Sequence, residues 1–185
     1  RSVKLDSTIA ELINRSSDWY NGLGYRSDIV VSSRIRIARN LEEYPFPHWC
    51  TDKKLRLIEE EIIDKIKSSE ILKNNEQFFI DQIEQTESEV LVERNLISPE
   101  FLKNRGRLLL VSKNHPFSMI LNEEDHIRMQ VFSCGLEVKK CWKLISEIDD
   151  EFEKLFKCAY HRKFGYLTAC PTNTGTGIRV SIMMH

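Results

Sequence analysis

The stretch RLLLVSKNHPFSMILN, residues 107–122, gives the strongest indication of the fold. Its two halves, RLLLVS and FSMILN, are apolar runs rich in residues that favour β-strands, and only residues 113–116 separate them. Two such runs on either side of a short connection that contains proline are typical of an antiparallel hairpin. We therefore predict a sheet that is at least partly antiparallel, with this hairpin inside it.

Helical patterns lie on both sides of the hairpin. The segment TDKKLRLIEEEIIDKIKSS spaces its apolar residues at helical intervals, with Thr51 or Asp52 available as the N-cap. The segment GLEVKKCWKLISEIDDEFEKLFK repeats the pattern over a greater length. A shorter helix is predicted at SPEFLKNRG, with Ser98 as its cap, Pro99 in its first turn and Gly106 as its stop.

Further β-like runs, DIVVSSRIRIA, HIRMQVFSC, YLTAC and IRVSIMM, occur before and after the hairpin. Strand and helix signals therefore alternate along the chain, without a repeat or a low-complexity linker. This arrangement predicts an α/β or α+β protein, built as one domain or as one domain with a small appendage, in which helices pack on a sheet that is at least partly antiparallel.

The composition excludes several classes of protein. The 185 residues are 41% hydrophobic, and 27 Lys and Arg against 28 Asp and Glu give a net charge of -1. This balance removes the whole-chain electrostatic argument for a nucleic-acid or anionic-membrane partner. No stretch approaches the roughly 20 apolar residues of a membrane span, and RSVKLDSTIAELINRSSDW at the start lacks the apolar core of a signal peptide. The five cysteines form no C-x-x-C pair, so neither a disulfide framework nor a zinc ribbon is indicated, and we expect a cytoplasmic protein.

Arg34 and Arg36 in SSRIRIARN are two residues apart, so on a strand both guanidinium groups project from the same face. Two adjacent cations repel each other unless an anion or a carboxylate lies between them. Taken alone, an R-x-R pattern is more often a solvated strand face or a set of internal ion pairs than a ligand site.

The segment CPTNTGTGIRVS places Gly175 and Gly177 between Cys170 and Arg179. Glycines let the backbone approach a ligand, and free N–H groups in such a loop can donate to phosphate oxygens. The segment matches neither the P-loop pattern nor G-x-G-x-x-G, so in isolation an ordinary turn is the better interpretation.

The segment NEEDHIR places three consecutive carboxylates, Glu123, Glu124 and Asp125, directly after the apolar run SMIL. Adjacent like charges at the end of a strand cost electrostatic free energy unless cations or a ligand neutralise them. A solvated acidic loop is an equally good interpretation, and Arg128 is available as an internal partner. The spacing fits no standard transition-metal site, and Mg²⁺ would more readily arrive with a nucleotide, so no protein-held metal is predicted.

Taken together, these segments resemble one family, the phosphagen kinases or ATP:guanidino phosphotransferases. The similarity is carried by VVSSRIRIARNLEEYPFP at 30–47, NEEDHIRMQ at 122–130 and GYLTACPTNTGTGIRVS at 165–181, with support from VLVERNLISPEF at 90–101. It is greatest to the bacterial members that phosphorylate arginine side chains in proteins. The resemblance implies the α+β catalytic fold of the family over residues 1–185, with a largely antiparallel sheet flanked by helices. It also implies an ATP-dependent kinase.

The resemblance also assigns roles to particular residues. Glu124 is implied to bind the acceptor guanidinium, with Asp125 beside it. Cys170 matches the active-site cysteine that the family places near that guanidinium, with a small buried hydrophobe as the alternative role. A cage for the phosphates of ATP, whose Mg²⁺ is carried with the nucleotide, is implied at Ser33, Arg34, Arg36, Arg128 and Arg179.

The position of the first arginine motif favours a protein substrate. Family members that act on small guanidino compounds carry a separate helical domain before this motif, whereas SSRIR begins here at Ser32. The resemblance further implies a stress-linked role in marking proteins for a Clp-type protease, a zinc-binding activator protein as partner, and a homo-oligomer at full length. The alternatives are a kinase of a small guanidino compound, a catalytically silent module that binds nucleotide or phosphoarginine, and a structural half that complements another chain.

Longer family members continue beyond the SIMMH that ends this sequence, with another phosphate-binding arginine, a mobile loop and a C-terminal helical domain. A further departure from the family lies before GYLT, where HRKF replaces the usual acidic residues. We therefore expect residues 1–185 to hold an incomplete catalytic domain that is inactive alone.

Overall fold

The computed structural model describes residues 22–103 and 107–185, which form a six-stranded sheet, a small two-stranded sheet and three α-helices. The strands are β1 (Val30–Arg39), β2 (Asn75–Phe79), β3 (Leu108–Ser112), β4 (Phe117–Leu121), β5 (Ile127–Cys134), β6 (Tyr160–His161), β7 (Gly165–Tyr166) and β8 (Ile178–Met184). The α-helices are α1 (Asp52–Ile66), α2 (Gln85–Glu93) and α3 (Val138–Leu155). Short 3₁₀ turns span Pro47–Trp49, Ile80–Gln82, Pro99–Lys103 and Pro171–Asn173.

The large sheet has the strand order β2-β3-β4-β5-β1-β8, and every neighbouring pair is antiparallel. β3 and β4 form the predicted hairpin, with Leu109 opposite Ile120, and all of their residues are buried. Burial on both faces explains why these runs are mostly apolar, with one serine each, instead of alternating with polar residues. The predicted α+β class and the antiparallel sheet are confirmed.

The predicted helices are confirmed, with one change of type. α1 begins after Thr51, whose hydroxyl accepts a hydrogen bond from the Lys54 amide at 3.4 Å. The short helix at SPEFLKNRG is a 3₁₀ turn, and the Ser98 hydroxyl caps it by accepting from the Phe101 amide at 3.2 Å. The predicted stop at Gly106 lies outside the described residues.

The run YLTAC is not the strand that its composition predicts, because β7 ends at Tyr166. The backbone that follows bonds to other segments. The Leu167 amide donates to the Ala159 carbonyl, and the Ala169 amide donates to the Asp125 carboxylate. β2 and α2 escape prediction, since NEQFF and QTESEVLVE are largely polar and give only a weak periodic signal.

The two faces of the large sheet are covered differently. On one face, Ile35 and Ile37 of β1 join the larger apolar core beneath α1 and α3. On the other face, a second core lies beneath α2 and the turn Pro99–Lys103. The strand residues of this second core come from β2 to β5: Phe78, Leu109, Val111, Ile120 and Phe132. The strands β1 and β8 therefore lie beyond the cover that α2 provides.

β8 is the outermost strand beside β1, and four of its apolar side chains are exposed: Val180, Ile182, Met183 and Met184. Within the described part of the chain, no helix combines the length and the apolar character that crossing a membrane requires. The expectation about a signal peptide concerns residues that lie outside the described ranges. All five cysteines are free thiols.

Candidate active site

Four arginines from the sequence motifs meet on the face of the sheet that α2 leaves open. Arg34 and Arg36 lie two residues apart on β1 and share this face, as their spacing predicts. In the strand register, Arg36 lies opposite Arg179 of β8, and Ala38 lies opposite Arg128 of β5. Directly paired residues project from the same face of a sheet. The pairing of β5, β1 and β8 therefore gathers the four guanidinium groups on one surface.

These arginines repel one another. The pKa of Arg36 is lowered to about 10, first by burial and then by the like charges of Arg34, Arg128 and Arg179, while Glu123 opposes the shift. The Nε atoms of Arg36 and Arg128 are also buried without a hydrogen-bond partner in the described part of the chain. A ligand with several negative charges suits this surface, since its oxygens would accept these bonds and offset the repulsion.

A cavity of about 120 Å³ joins the arginines to the acidic loop, residues 122–126, which connects β4 to β5. Its lining is Arg36, Ala38, Glu123, Glu124, Asp125, Arg128, Asn173, Gly177 and Arg179. Three arginines and three carboxylates thus border one small space. A cavity of this kind can hold an anion and a cation side by side.

Two further cavities adjoin the first along β1. A cavity of about 240 Å³ shares Arg36 and Arg128 with it, and a cavity of about 300 Å³ shares Arg34 and Asn95 with the second. The third cavity is the most apolar of the three, and its lining is Ser32, Arg34, Asn95, Phe132, Ser181, Ile182 and Met183. The shared residues place the three cavities next to one another along β1, and we refer to them together as the groove.

The three carboxylates of the acidic loop have different surroundings. Glu123 forms an ion pair with Arg128 and accepts a hydrogen bond from the Ser98 hydroxyl at 2.9 Å, which confirms Arg128 as an internal partner. Asp125 is buried. Glu124 is exposed at the cavity and makes no hydrogen bond or ion pair with any residue in the described ranges. Glu124 is therefore the carboxylate that remains available to a cationic ligand.

Asp125 ties the acidic loop to two other segments. Its Oδ1 atom accepts hydrogen bonds from the Asn40 side-chain amide and from the Ala169 backbone amide, each at 2.7 Å. Ala169 directly precedes Cys170, so this carboxylate holds the cysteine loop beside the acidic loop. Asp125 lines the cavity but is only 4% exposed, which indicates a positioning role more than contact with a ligand.

Cys170 is partly buried, and its Sγ atom lies 3.0 Å from the Thr172 hydroxyl. This exposure and this polar contact do not fit the alternative role of a small buried hydrophobe. The residue is adjacent to the amide that Asp125 holds, yet it is not part of the cavity lining. The structure therefore brings Cys170 near the acidic loop without placing it in the cavity.

The glycine-containing loop packs against the end of β1. Gly177 has a φ of +69°, and a Cβ atom there would lie 2.6 Å from the Ala38 carbonyl oxygen and 2.7 Å from Nη1 of Arg39. The Gly177 carbonyl also accepts a hydrogen bond from the Ala38 amide at 2.9 Å. Glycine alone fits this close approach. The loop is thus a wall of the cavity, and its role toward a phosphate stays a prediction.

Ser33 does not join the arginines. It alternates with Arg34 and Arg36 along β1, so its side chain projects from the opposite face. That side chain is fully buried, where it donates to the Gly135 carbonyl at 2.7 Å and accepts from the Glu137 amide at 3.0 Å. The Ser33 hydroxyl holds the start of α3 against β1, and the site proposed below does not include it.

Buried polar groups hold both ends of the acidic loop. Asn122 opens the loop with a φ of 56°, and its Nδ2 atom donates to the Leu55 carbonyl at 3.1 Å and to Oε1 of Glu59 at 3.2 Å. At the other end, Nδ1 of the fully buried His126 accepts from the Leu41 amide at 3.2 Å. Burial lowers the pKa of His126 to about 4, so this imidazole is neutral near neutral pH.

The buried carboxyl group of Glu59 leads to a prediction about stability and pH. Burial raises the pKa of Glu59 from an ordinary value of 4.5 to about 7, although the hydrogen bond from Asn122 favours the charged form. The folded protein therefore keeps a proton on Glu59 that the unfolded chain releases, so the contribution of Glu59 to stability is greatest below pH 4.5 and declines as the pH rises toward 7. His126 contributes a change of opposite sign between pH 6.5 and about 4, so the effect of Glu59 is the difference between the wild type and a variant. Glu59→Gln should remove this decline. At about pH 8 its free energy of unfolding should exceed that of the wild type by on the order of 1 to 3 kcal/mol.

The free energy of unfolding, measured in urea at about pH 5 and about pH 8, checks this prediction. The exposed carboxylate of Glu147 on α3 provides the control, because it does not contribute to the shift of Glu59 and Glu147→Gln should keep the pH dependence of the wild type. If the free energy of unfolding varies with pH in the same way for the wild type and Glu59→Gln, the pKa of Glu59 is not raised in the folded protein.

Several residues that build the site carry little signal in the sequence. Asn40 and Glu59 are single polar residues, and the side-chain contacts that give them a role join segments far apart in the chain. Their hydrogen bonds become visible only when β1, α1 and the acidic loop are brought together.

The comparisons with known proteins agree with the motifs. The sequence model for ATP:guanido phosphotransferase, C-terminal catalytic domain, matches residues 57–185. The protein-arginine kinase of Brevibacillus brevis is 43% identical over 179 residues, which covers 93% of this chain and 49% of the relative. The protein-arginine kinase of Halothermothrix orenii is 40% identical over 180 residues, which covers 96% of this chain and 51% of the relative. The chain thus spans about half the length of the curated relatives it matches.

Two solved structures share the fold. The duplicated taurocyamine kinase from Schistosoma mansoni with bound transition state analog components has a TM-score of 0.78 at 23% identity, over 88% of this chain and 24% of that chain. Lombricine kinase has a TM-score of 0.74 at 21% identity, over 89% of this chain and 50% of that chain. At these identities the likeness concerns the fold alone. The family's sequence model matches residues 57–185, more than half of this chain, so the chain belongs to the ATP:guanido phosphotransferase family.

Proposed function

We propose that this chain supplies the core of an ATP-dependent kinase that transfers the γ-phosphoryl group to arginine side chains in proteins. The observation that carries the proposal is the cavity in which Arg36, Arg128 and Arg179 meet the exposed carboxylate of Glu124. A phosphate chain and a guanidinium group would be bound there side by side. The names of relatives that share 43% and 40% identity support protein arginine as the acceptor.

The groove formed by the three neighbouring cavities would accommodate the nucleotide along β1. Its most apolar part, with Phe132 and Met183, suits a nucleobase. Arg34 borders both this part and the middle of the groove, and Arg36 borders both the middle and the acidic end. The phosphates would therefore run from Arg34 toward Arg36, which directs the γ-phosphate at Glu124.

Fixed guanidinium groups are the main catalytic contribution in this arrangement. During phosphoryl transfer, charge spreads over the equatorial oxygens of the γ-phosphoryl group, and cations already in place stabilise it without reorganising. Arg36, Arg128 and Arg179 satisfy this requirement because strand pairing fixes their backbones. Mg²⁺ bound to the nucleotide would neutralise further phosphate charge. The described residues contain no group of three or more His, Cys, Asp or Glu side chains that could hold a metal ion.

Glu124 would orient the acceptor. Carboxylates are far weaker bases than guanidines, so the acceptor arrives as a guanidinium cation and keeps its proton on binding. A bidentate ion pair with Glu124 would point one guanidinium nitrogen at the γ-phosphorus. The N–P bond then forms while the bond from the γ-phosphorus to the bridging oxygen of ADP breaks. The attacking nitrogen becomes acidic in this step, and the paired Glu124 carboxylate would accept its proton.

The resemblance of the motifs to the family also supports a proposal about the role of the protein in the cell. The phosphorylated proteins would be marked under stress for a Clp-type protease, and a zinc-binding activator protein would act as partner. The longer protein would work in the cytoplasm as a homo-oligomer.

Incubation with Mg·ATP and an unstructured arginine-rich protein tests the proposed activity. The expected product is acid-labile phosphoarginine, detected by phosphorus NMR and by mass spectrometry without acid treatment. Free arginine at the same guanidino concentration is the competing acceptor, and its preferential phosphorylation would favour a kinase of small guanidino compounds. Nucleotide binding without phosphoarginine in any arm would favour a silent binding module.

The assay also predicts a requirement for further polypeptide. The chain spans about half of its relatives, so it is tested alone and together with the part of the Brevibacillus brevis relative that it does not match. We expect phosphoarginine only in the second arm, because excluding water from the transferred phosphoryl group requires a lid. The exposed side chains of Val180, Ile182 and Met184 on β8 would also gain a partner. Robust phosphorylation by the 185-residue chain alone would contradict this requirement but not the proposed activity.

A further inference from the structure

Asn40 occupies a junction between the motif segments. It directly follows β1 and is 1% exposed. Its Nδ2 atom donates to Oδ1 of Asp125 at 2.7 Å and to the Leu167 carbonyl at 3.1 Å. Its Oδ1 atom accepts from the His126 amide at 2.9 Å. One buried side chain therefore joins β1 to the acidic loop and to the segment that leads to Cys170.

The chemistry of the partners fixes the orientation of this side-chain amide. A carboxylate and a carbonyl oxygen only accept hydrogen bonds here, and a backbone amide only donates, so a single orientation of Asn40 satisfies all three partners. Its backbone carbonyl also accepts from the Ala159 amide at 2.7 Å. Loss of the side chain would leave the His126 amide and the Leu167 carbonyl without these bonds in a buried place, where unmade bonds are costly.

Asn40 acts on the acceptor side of the site. Asp125 and His126 directly follow Glu124 in the acidic loop, and Asp125 in turn holds the Ala169 amide. The phosphate-binding arginines are instead positioned by the pairing of β5, β1 and β8. Loosening Asn40 should therefore displace Glu124 relative to the phosphates while the arginine surface stays intact.

We propose that Asn40 is a positioning residue for phosphoryl transfer, which sets the distance between Glu124 and the phosphate-binding arginines by clamping the acidic loop to the segment at Leu167. The inference deepens the proposed function and rests on it. Asn40 itself touches no substrate, because its side chain is buried and fully bonded within the protein.

The test compares three variants with the wild type, in the form of the protein that phosphorylates arginine in the assay above. Asn40→Ala removes all three side-chain bonds. Asn40→Asp keeps the shape and the acceptor for the His126 amide but replaces the donor toward Asp125 with a carboxylate. Asn75→Ala is the matched control, because the Asn75 side chain donates to the Leu72 carbonyl at 2.8 Å on the outer strand β2, far from the groove.

Both Asn40 variants should bind ATP within about twofold of the wild-type affinity but phosphorylate arginine about a hundredfold more slowly, since a displacement of about 1 Å can cost that much. Amide hydrogen exchange, followed by NMR without substrate, should accelerate about tenfold or more at His126 and Ala169 in Asn40→Ala. In Asn40→Asp, exchange should accelerate more at Ala169 than at His126. Asn75→Ala should change none of these quantities. Thermal unfolding curves of all variants are measured first, and the experiments are then carried out at a temperature at which every variant is folded.

Equal losses of ATP binding and turnover in Asn40→Ala would overturn the positioning role, because they would reflect a smaller folded fraction. Unchanged exchange at both amides would overturn it as well. If Asn40→Ala does not fold, Asn40→Asp is judged by the same two criteria. Absence of phosphoarginine with the wild type would instead defeat the proposed function, and the exchange rates would then still show whether Asn40 clamps the two segments.

Discussion

Glu124→Gln is expected to slow arginine phosphorylation by about a hundredfold to a thousandfold while ATP binds with wild-type affinity. Glutamine keeps the size of the side chain and one acceptor oxygen. It loses the charge that pairs with the acceptor and places an N–H donor against the guanidinium group. Single-turnover formation of phosphoarginine and calorimetric titration of ATP measure the two effects separately. Glu147→Gln is the control, because Glu147 is an exposed residue of α3, on the opposite face of the sheet.

The other carboxylates of the acidic loop define the contrary outcome. Glu123 already forms an ion pair with Arg128, and Asp125 is buried and accepts two hydrogen bonds within the protein, so neither is available to bind an acceptor. Retained phosphorylation in Glu124→Gln, together with a loss in Glu123→Gln or Asp125→Asn, would move the acceptor role to that residue.

Arg36→Ala is expected to weaken ATP binding by about tenfold to a hundredfold, since a charge-assisted hydrogen bond contributes about 1.5 to 3 kcal/mol. Arg36 borders two of the three cavities and lies opposite Arg179, so it is central to the arginine surface. Titration calorimetry with ATP is the measurement. Arg162→Ala, at an exposed position between β6 and β7, should leave the affinity unchanged. Unchanged affinity and turnover in both Arg36→Ala and Arg179→Ala would remove these residues from the site.

The arginine surface also predicts an effect of opposite sign on the protein without nucleotide. Arg36→Met keeps most of the apolar stem but removes a charge that faces Arg179. Its thermal unfolding temperature should therefore exceed that of the wild type at low ionic strength, with the difference shrinking as salt screens the repulsion. A variant that is more stable yet binds ATP more weakly is the signature of a surface built for a ligand. Equal loss of both would indicate that Arg36 mainly supports the fold.

Sequence periodicity predicts most of the longer elements and part of the site, but it misses β2 and α2. Apolar runs predict the hairpin of β3 and β4, and strand alternation predicts that Arg34 and Arg36 share a face. The same alternation places the Ser33 side chain on the other face, so the structure does not bring it together with the arginines. The run YLTAC has strand-forming residues, but its backbone bonds are taken by Ala159 and Asp125, which no local pattern reveals.

The different roles of the three carboxylates in the acidic loop could not be predicted from any local sequence pattern. Three consecutive carboxylates look equivalent in the sequence, yet one is paired with Arg128, one is buried, and only Glu124 remains exposed at the cavity. Their difference depends on Asn40 and Ala169, which are distant in the chain and reach Asp125 only in the folded protein. The registers that set Arg36 opposite Arg179 are equally a property of long-range strand pairing.

The central place of β1 has a consequence for how the protein folds. Arg39, the last residue of β1, bonds to Thr176, which lies 137 residues further along the chain. Asn40, the next residue, bonds to Asp125, which lies 85 residues further along. Loops of such length must close before β1 is paired on either side, and proteins rich in such contacts fold slowly. The hairpin of β3 and β4 has local partners and forms on a much faster timescale. We therefore expect the arginine surface to assemble late in folding, so that binding of a nucleotide analogue during refolding would report the arrival of the native state and no earlier intermediate.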